Sequence, residues 1–335
     1  MNPFLEQLRA DGVVTSSDAT LSPLAGGVSS DIYRVDDGGR VFVVKRALGQ
    51  LRVADTWTAS LSRNRFEQRY LRYVGGFLPQ AVPCLLKGDE ERGYFAMEHL
   101  GEGFENWKTR LLQGRFDRDV ASRAAAILGE IHRRSSDDPA ARRLFDSTGN
   151  FRELRIEPYL VTTAGRHPPI EAPMLAEAER LAETRECLVH GDYSPKNILV
   201  GPERCVILDC EVAWYGDGAF DLAFLLNHLF LKAAYHAPQG AGLEPLVDAT
   251  LESYFAARGE VLPRRAELME RVGRLLPMLM LARVDGKSPA EYLDASRRNA
   301  VRELAAEWIA SGCHDFSALR RAWFARFAST PFPGL

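Results

Sequence analysis

The apolar residues of this chain change their spacing near residue 98, alternating in short runs before it and recurring every three or four positions after it. Val28 to Val35 alternates like a strand, Asp36-Asp37-Gly38-Gly39 reads as a hairpin turn, and Val41-Phe42-Val43-Val44-Lys45 reads as the returning strand, closing on a lysine. Arg63 to Tyr73 carries Phe66 and Tyr70 on one side, continued by Val74, which predicts a helix whose only acid is Glu67. Tyr94-Phe95-Ala96-Met97-Glu98 is a further strand, running into the polar, glycine-bearing connection His99-Leu100-Gly101. Ahead of these elements Phe4 to Leu8 is a short amphipathic piece followed by polar residues, and residues 1–20 predict a loosely packed start.

Beyond residue 101 the pattern is mostly helical. Asp117 is placed to cap a helix running to about Arg134, with Val120, Ala124, Ile127, Leu128 and Ile131 on one face and His132 packing or capping near its end. Asp137 to Pro173 contains Pro158, Pro168 and Pro169 and predicts an irregular segment, a substrate-side loop. Phe220 to Phe230 is almost continuously apolar, so its helix belongs to the interior. Helices follow over Leu243 to Arg258, Arg264 to Val284 and Ser288 to Gly312. The last has Ser288 and Glu291 in capping-box positions, Pro289 in the first turn and Gly312 just past the end.

A chain of 335 residues with 46% apolar content can bury a large core, and its length suits two lobes with a cleft between them. The expected class is α+β, with residues 1–98 as a small β-rich lobe and residues 99–335 as a mostly helical one. A formal charge of -3 gives no basic footprint for nucleic acid, and no apolar run has the length of a membrane-spanning helix. The cysteines Cys84, Cys187, Cys205, Cys210 and Cys313 have no C-x-x-C spacing, which fits free thiols in a reducing cytoplasm. The N-terminus lacks the basic and apolar regions of a signal peptide, so a cytoplasmic location is expected.

The candidate chemistry lies in Leu188-Val189-His190-Gly191-Asp192-Tyr193-Ser194-Pro195-Lys196-Asn197 and in Val206-Ile207-Leu208-Asp209-Cys210-Glu211. One apolar run delivers Asp192 into a polar turn, Asn197 follows five positions later, and a second apolar run delivers Asp209. Phosphoryl transfer needs a carboxylate to accept the proton of an attacking hydroxyl, and oxygen ligands that hold magnesium against nucleotide phosphates. Asp192 fits the first need; Asn197 and Asp209 fit the second, with Glu211 able to supply another carboxylate on the same strand face. Gly26, Gly27, Ser29 and Ser30 precede the first strand at a place where backbone amides can approach phosphate closely. Lys45 is the phosphate-contacting lysine of this arrangement and Glu67 the acid that holds it.

These motifs, together with Gly216-Asp217-Gly218-Ala219-Phe220-Asp221, resemble the aminoglycoside phosphotransferase and choline kinase superfamily of small-molecule kinases. The resemblance covers roughly residues 20–285 and implies a two-lobed protein-kinase-like fold, with ATP or another nucleoside triphosphate and Mg2+ as cofactors. It implies Asp192 as the catalytic base, Asn197 and Asp209 as metal ligands, Asp221 as a brace of the catalytic loop, and Glu98, His99 and Leu100 as the hinge facing adenine. Val44 to Leu48, Leu51 to Asp55, Trp57, Leu61 to Glu67 and the Asp209-x-Glu211 pair are similar to the methylthioribose kinase branch. Asn197 is typical of the wider superfamily, and Leu275 to Val284 lacks the adjacent arginine pair associated with methylthioribose.

Only ten residues separate Asp209 from Phe220, which leaves no room for the activation segment of a protein kinase. A small-molecule acceptor follows, the alternative to catalysis being a nucleotide-binding module. Glu244, Asp248, Glu252, Glu267 and Glu270 have the spacing of a solvated helix face, whereas Pro277 to Leu281 is apolar with Arg274 and Arg283 flanking. The expected acceptor is therefore a neutral sugar or sugar-like hydroxyl compound, with an aminoglycoside or amino alcohol as the alternative.

Overall fold

The structure, a computed structural model, describes residues 2–24, 30–47, 63–259 and 264–328. Five strands, β1 (Thr20–Pro23), β2 (Ser30–Asp37), β3 (Arg40–Ala47), β4 (Leu85–Asp89) and β5 (Tyr94–Glu98), form one antiparallel sheet in the order β1-β2-β3-β5-β4. Gly38 and Gly39, at φ of 65° and 92°, make the expected two-residue turn between β2 and β3. Because both faces of β3 are covered, Phe42, Val43, Val44 and Lys45 are all buried.

The helix Pro3–Ala10, capped by Asn2, sets Phe4, Leu5 and Leu8 against Val35, Phe42, Val44, Tyr94 and Ala96. The start of the chain is thus packed, not loose as its polar sequence predicts: it covers a sheet face that would otherwise expose apolar surface to water. Lys45 and Phe95, paired in register, lie on the opposite face, under the helix Arg63–Gly75 with its buried Tyr70, Leu71 and Val74. Leu51 to Asp55, Trp57, Leu61, Gly26, Gly27 and Ser29 lie outside the described residues.

The rest of the chain is mostly helical, so the class is α+β as expected. Its core is built on the helix Ala219–Tyr235, buried from Ala219 to Ala234, with the helix Arg264–Asp285 alongside. The helices Arg118–Ser135 and Glu244–Arg258 cross at Gly129, where an added Cβ would lie 2.4 Å from the Tyr254 carbonyl oxygen. Because that neighbour is backbone, Gly129→Ala is expected to lower the unfolding free energy by about 1–3 kcal/mol, read from a denaturant melt. Parental stability in that variant would show that the helices can part freely.

Asp137 to Pro173 is helical rather than irregular, with the helices Pro139–Leu144 and Thr148–Phe151, a π-helix Arg152–Val161 and the helix Thr162–Arg166. Its prolines do not break it. Pro139 and Pro168 stand where a helix starts and no N–H is required, and Pro158 falls inside the widened π-helical stretch.

The last long helix but one also differs from expectation, running from Ala295 to Ser311 with Asp294 as its cap, its Oδ1 accepting from Arg297 N at 2.7 Å. Ser288 is not a cap, because its hydroxyl accepts from Arg283 Nη1 at 2.7 Å. Residues 286–294 instead form a connection held by main-chain bonds, Lys287 N to Pro158 O at 3.2 Å and Ala290 N to Arg283 O at 2.7 Å. That connection becomes one wall of the cleft.

Candidate active site

The segment His190 to Asn197 is slung between two small antiparallel ladders, Cys187–Val189 with Trp214–Gly216 and Ile198–Val200 with Cys205–Ile207. Gly191 turns it at φ 77°, and a Cβ there would meet the Val212 carbonyl oxygen at 2.8 Å, so glycine is required. The buried Asp221 carboxylate accepts from His190 N at 2.6 Å and Gly191 N at 2.9 Å, a brace for the turn, as expected. His132 joins Asp221 (3.4 Å) to the Tyr254 hydroxyl (2.9 Å), tying the loop to the helix crossing at Gly129. Asp221→Ala would leave two buried amides unpaired and is expected to cost about 2–5 kcal/mol of stability, seen as a lowered melting temperature. An unchanged melt would remove the brace.

Asp192 faces the cleft beside Arg155 (3.1 Å) and Lys196 (3.4 Å). Burial works to raise its pKa, but Lys196 and Arg155 outweigh burial and hold the carboxyl below its usual range, so Asp192 is charged at neutral pH. Arg155 comes from the π-helix and also donates to the Gly191 and Leu154 carbonyl oxygens, fixing the turn from the far side. Sequence reasoning missed Arg155. It belongs to no local motif, and its partner lies 37 positions along the chain.

Across the cleft, Lys45 Nζ lies 2.8 Å from Glu67 and 2.6 Å from Asp209, so the expected lysine–glutamate pair is formed and Asp209 joins it. Burial pushes the Glu67 carboxyl up to about 7 against the pull of Lys45, with Asp209 and Glu211 raising it further. Asp209 is held well below the usual range, burial being overcome by Lys45 and Lys196. It sits at φ 61°, a left-handed conformation that aspartate tolerates better than most residues. Glu211 is engaged by the fully buried Arg63, Nε to Oε2 at 3.1 Å. Oxygens of Glu67, Asp209 and Glu211 lie within 4.8 Å of one another, a hard-donor set suited to a divalent cation. Asn197 lines the same cavity, its Nδ2 donating to Asp192 O at 3.0 Å.

Lys45, Glu67, Arg155, Asp192, Lys196, Asn197, Asp209 and Glu211 all line one cavity of about 640 Å³. One end is apolar, with Ile32, Leu71, Pro83, Met97, Leu199 and Leu208. Ser30 lines it too, and its buried hydroxyl has no hydrogen-bond partner among the described residues, a donor left for a ligand oxygen. Glu98 turns its side chain to Arg204 (2.5 Å) and Cys84 N (3.2 Å), and the described lining ends at Met97, short of Glu98, His99 and Leu100. The other end carries Lys108, His228, Arg283 and Glu291. Of the two flanking arginines, Arg283 reaches the cleft, while Arg274 pairs with Glu270 at 3.1 Å.

The family model described as "Phosphotransferase enzyme family" matches residues 20–268. A methylthioribose kinase of Yersinia enterocolitica is 26% identical over 241 residues, 64% of this chain and 60% of that protein, so the chain spans less than two thirds of the length of this relative. Among solved structures, an amicoumacin kinase in complex with AMP-PNP and Ca2+ matches with a TM-score of 0.62 at 12% identity, covering 93% of this chain and 94% of that one. A microcompartment-associated aminopropanol kinase matches with a TM-score of 0.56 at 14% identity, covering 97% and 99%. These likenesses show the two-lobed kinase-like fold.

Proposed function

The chain belongs to the phosphotransferase enzyme family, and from that premise we propose that it transfers the γ-phosphoryl group of ATP to a hydroxyl of a compact, sugar-like molecule. The observation that carries this reading is the placement of Asp192, charged and braced, in the same cavity as the Lys45–Glu67–Asp209 cluster.

In this reading residues 1–98 bind the nucleotide and residues 99–335 supply the catalytic loop and the acceptor site. The apolar slot receives the base, the Glu98-His99-Leu100 connection is the proposed hinge just beyond its described lining, and Ser30 donates toward phosphate oxygens, the role proposed from the sequence for Gly26, Gly27 and Ser29 as well. Lys45, held by Glu67, balances phosphate charge. Asn197, Asp209 and Glu211 would hold Mg2+, which when bound supplies charge neutralisation between the nucleotide phosphates. Asp192 accepts the hydroxyl proton as the oxygen attacks, and Arg155 and Lys196 keep that carboxylate ionised and aimed. Five free thiols support a reducing compartment, and no helix among the described residues is long and apolar enough to cross a membrane.

A polycationic acceptor would need carboxylates at the far end of the cleft. Glu244 and Asp248 are paired instead with Arg320, and Glu291 with Lys108, which favours the sugar-like reading over an aminoglycoside or amino alcohol. The test is ADP release with ATP and Mg2+ across pentoses, methylthioribose, choline-like amines and aminoglycosides. Turnover of an aminoglycoside with none on any sugar-like compound would overturn the acceptor and leave the phosphotransfer.

A further inference from the structure

The acceptor end of the cleft holds more positive charge than its own residues neutralise. Lys108 is paired with Glu291, but Arg283, 8% exposed, forms no ion pair among the described residues. Its Nη1 donates to the Ser288 carbonyl oxygen and hydroxyl, while its Nε is buried with no hydrogen-bond partner. Lys232, fully buried one helical turn beyond His228, is likewise without a carboxylate among the described residues. It keeps a 3.4 Å bond to the His228 carbonyl oxygen and lies 5.1 Å from the centre of the Tyr292 ring. Burial, with Lys108 and Arg283 beside it, pulls the Lys232 ammonium down to about 7, so two full cations, Lys108 and Arg283, and a partly charged Lys232 share the single carboxylate of Glu291. A buried cation without a counter-charge is costly, so the fold has reason to leave it only where a ligand supplies one. His228 registers the same field: burial, Lys232, Arg283, Lys196 and Lys108 together hold it neutral, well below the usual histidine range.

Building on the phosphotransferase reading above, we propose that the acceptor is itself an anion, a compact hydroxylated molecule whose carboxylate or phosphate group is received by Arg283 and Lys108, with Lys232 behind them. Arg283 suits this because its guanidinium can meet a planar or tetrahedral oxyanion with two N–H groups. Asp192 and Arg283 line the same cavity, so the anion and the reacting hydroxyl are placed on one small molecule. Tyr159 and Phe224 form the apolar floor beside Arg155, a surface for the carbon skeleton. The acceptor thereby narrows from a neutral sugar to a sugar acid or sugar phosphate, and a cationic amine is repelled at this end of the cleft.

The test measures ADP release by the full chain with ATP and Mg2+ on four acceptors: ribose, ribonate, ribose monophosphate and an amino alcohol. The expected result is a kcat/KM for ribonate or the phosphate about 10-fold or more above that for ribose, the scale of one charge-assisted hydrogen bond. The arm that responds identifies carboxylate or phosphate as the recognised group. Arg283→Gln and Lys108→Gln should each collapse that ratio through KM for the anion. Lys108 is partly exposed, so its variant keeps the test open if the buried Arg283 variant fails to fold. Preference for ribose or the amine, no turnover of either anion, or an unchanged ratio in the folded variants overturns the proposal. Turnover of ribose or the amine that Asp192→Ala abolishes would leave the phosphotransferase reading standing without it. Absence of ADP release on every acceptor, together with no thermal shift by ATP and Mg2+, would sink both.

Discussion

Replacing Asp192 with alanine is expected to lower kcat by about 100-fold to 10,000-fold, the span usual for loss of a general base. Nucleotide affinity should hold or tighten, because the change removes a negative charge from a site that receives phosphates while Arg155 and Lys196 remain. Asp192→Asn is the companion variant: it retains an oxygen acceptor for Arg155, so a similar loss in both separates proton acceptance from the positioning of that arginine. The measurement is single-turnover phosphorylation with nucleotide binding followed by calorimetry. Near-parental kcat in Asp192→Asn would take the proton to another acceptor.

The second large effect is expected at Asp209. Asp209→Asn keeps a side chain that tolerates φ 61°, so the backbone should stay in place while one charge is lost from the carboxylate cluster. A fall in kcat of about 100-fold or more is expected, comparable to removing one well-placed electrostatic partner of a transition state. The sharper readout is the ratio of ATP affinities measured with Mg2+ and with chelator, which should shrink toward one. Lys45 would retain Glu67 at 2.8 Å, so a general loss of phosphate binding is not the expected phenotype. An undiminished ratio would remove Asp209 from the metal site.

Much of this site could be read along the chain because its members are spaced locally. Asp192 and Asn197 lie on one short loop, Asp209 follows the next short ladder, and Lys45 lies near the end of a strand whose face the helix Arg63–Gly75 covers. Arg155 had no such signal, since it gains meaning only when the π-helix folds back against Gly191. Lys232 was hidden for a different reason: in a helix that is otherwise apolar, a single lysine reads as an end group until the fold buries it. The errors of the fold have the same root. Phe4, Leu5 and Leu8 are too few to announce a packed helix without the sheet face they cover, and the prolines between Asp137 and Pro173 signal a break only if they fall in helix interiors of ordinary pitch. Ser288 matched a cap by spacing but was taken by Arg283, a contact that spacing does not encode.

The connection over residues 286–294 is fastened by its own main chain, through Lys287 N to Pro158 O and Ala290 N to Arg283 O. Main-chain bonds of this kind are indifferent to the side chains carried at the same positions. Ser288 and Tyr292 can therefore be exchanged, within the limits of size, while the wall keeps its course around the cleft and Glu291 keeps its pairing with Lys108. Acceptor choice becomes separable from foldedness: libraries randomised at these two positions should yield mostly folded proteins that differ in what they phosphorylate, whereas equal randomisation of the Asp221-braced loop should yield mostly inactive or unfolded ones.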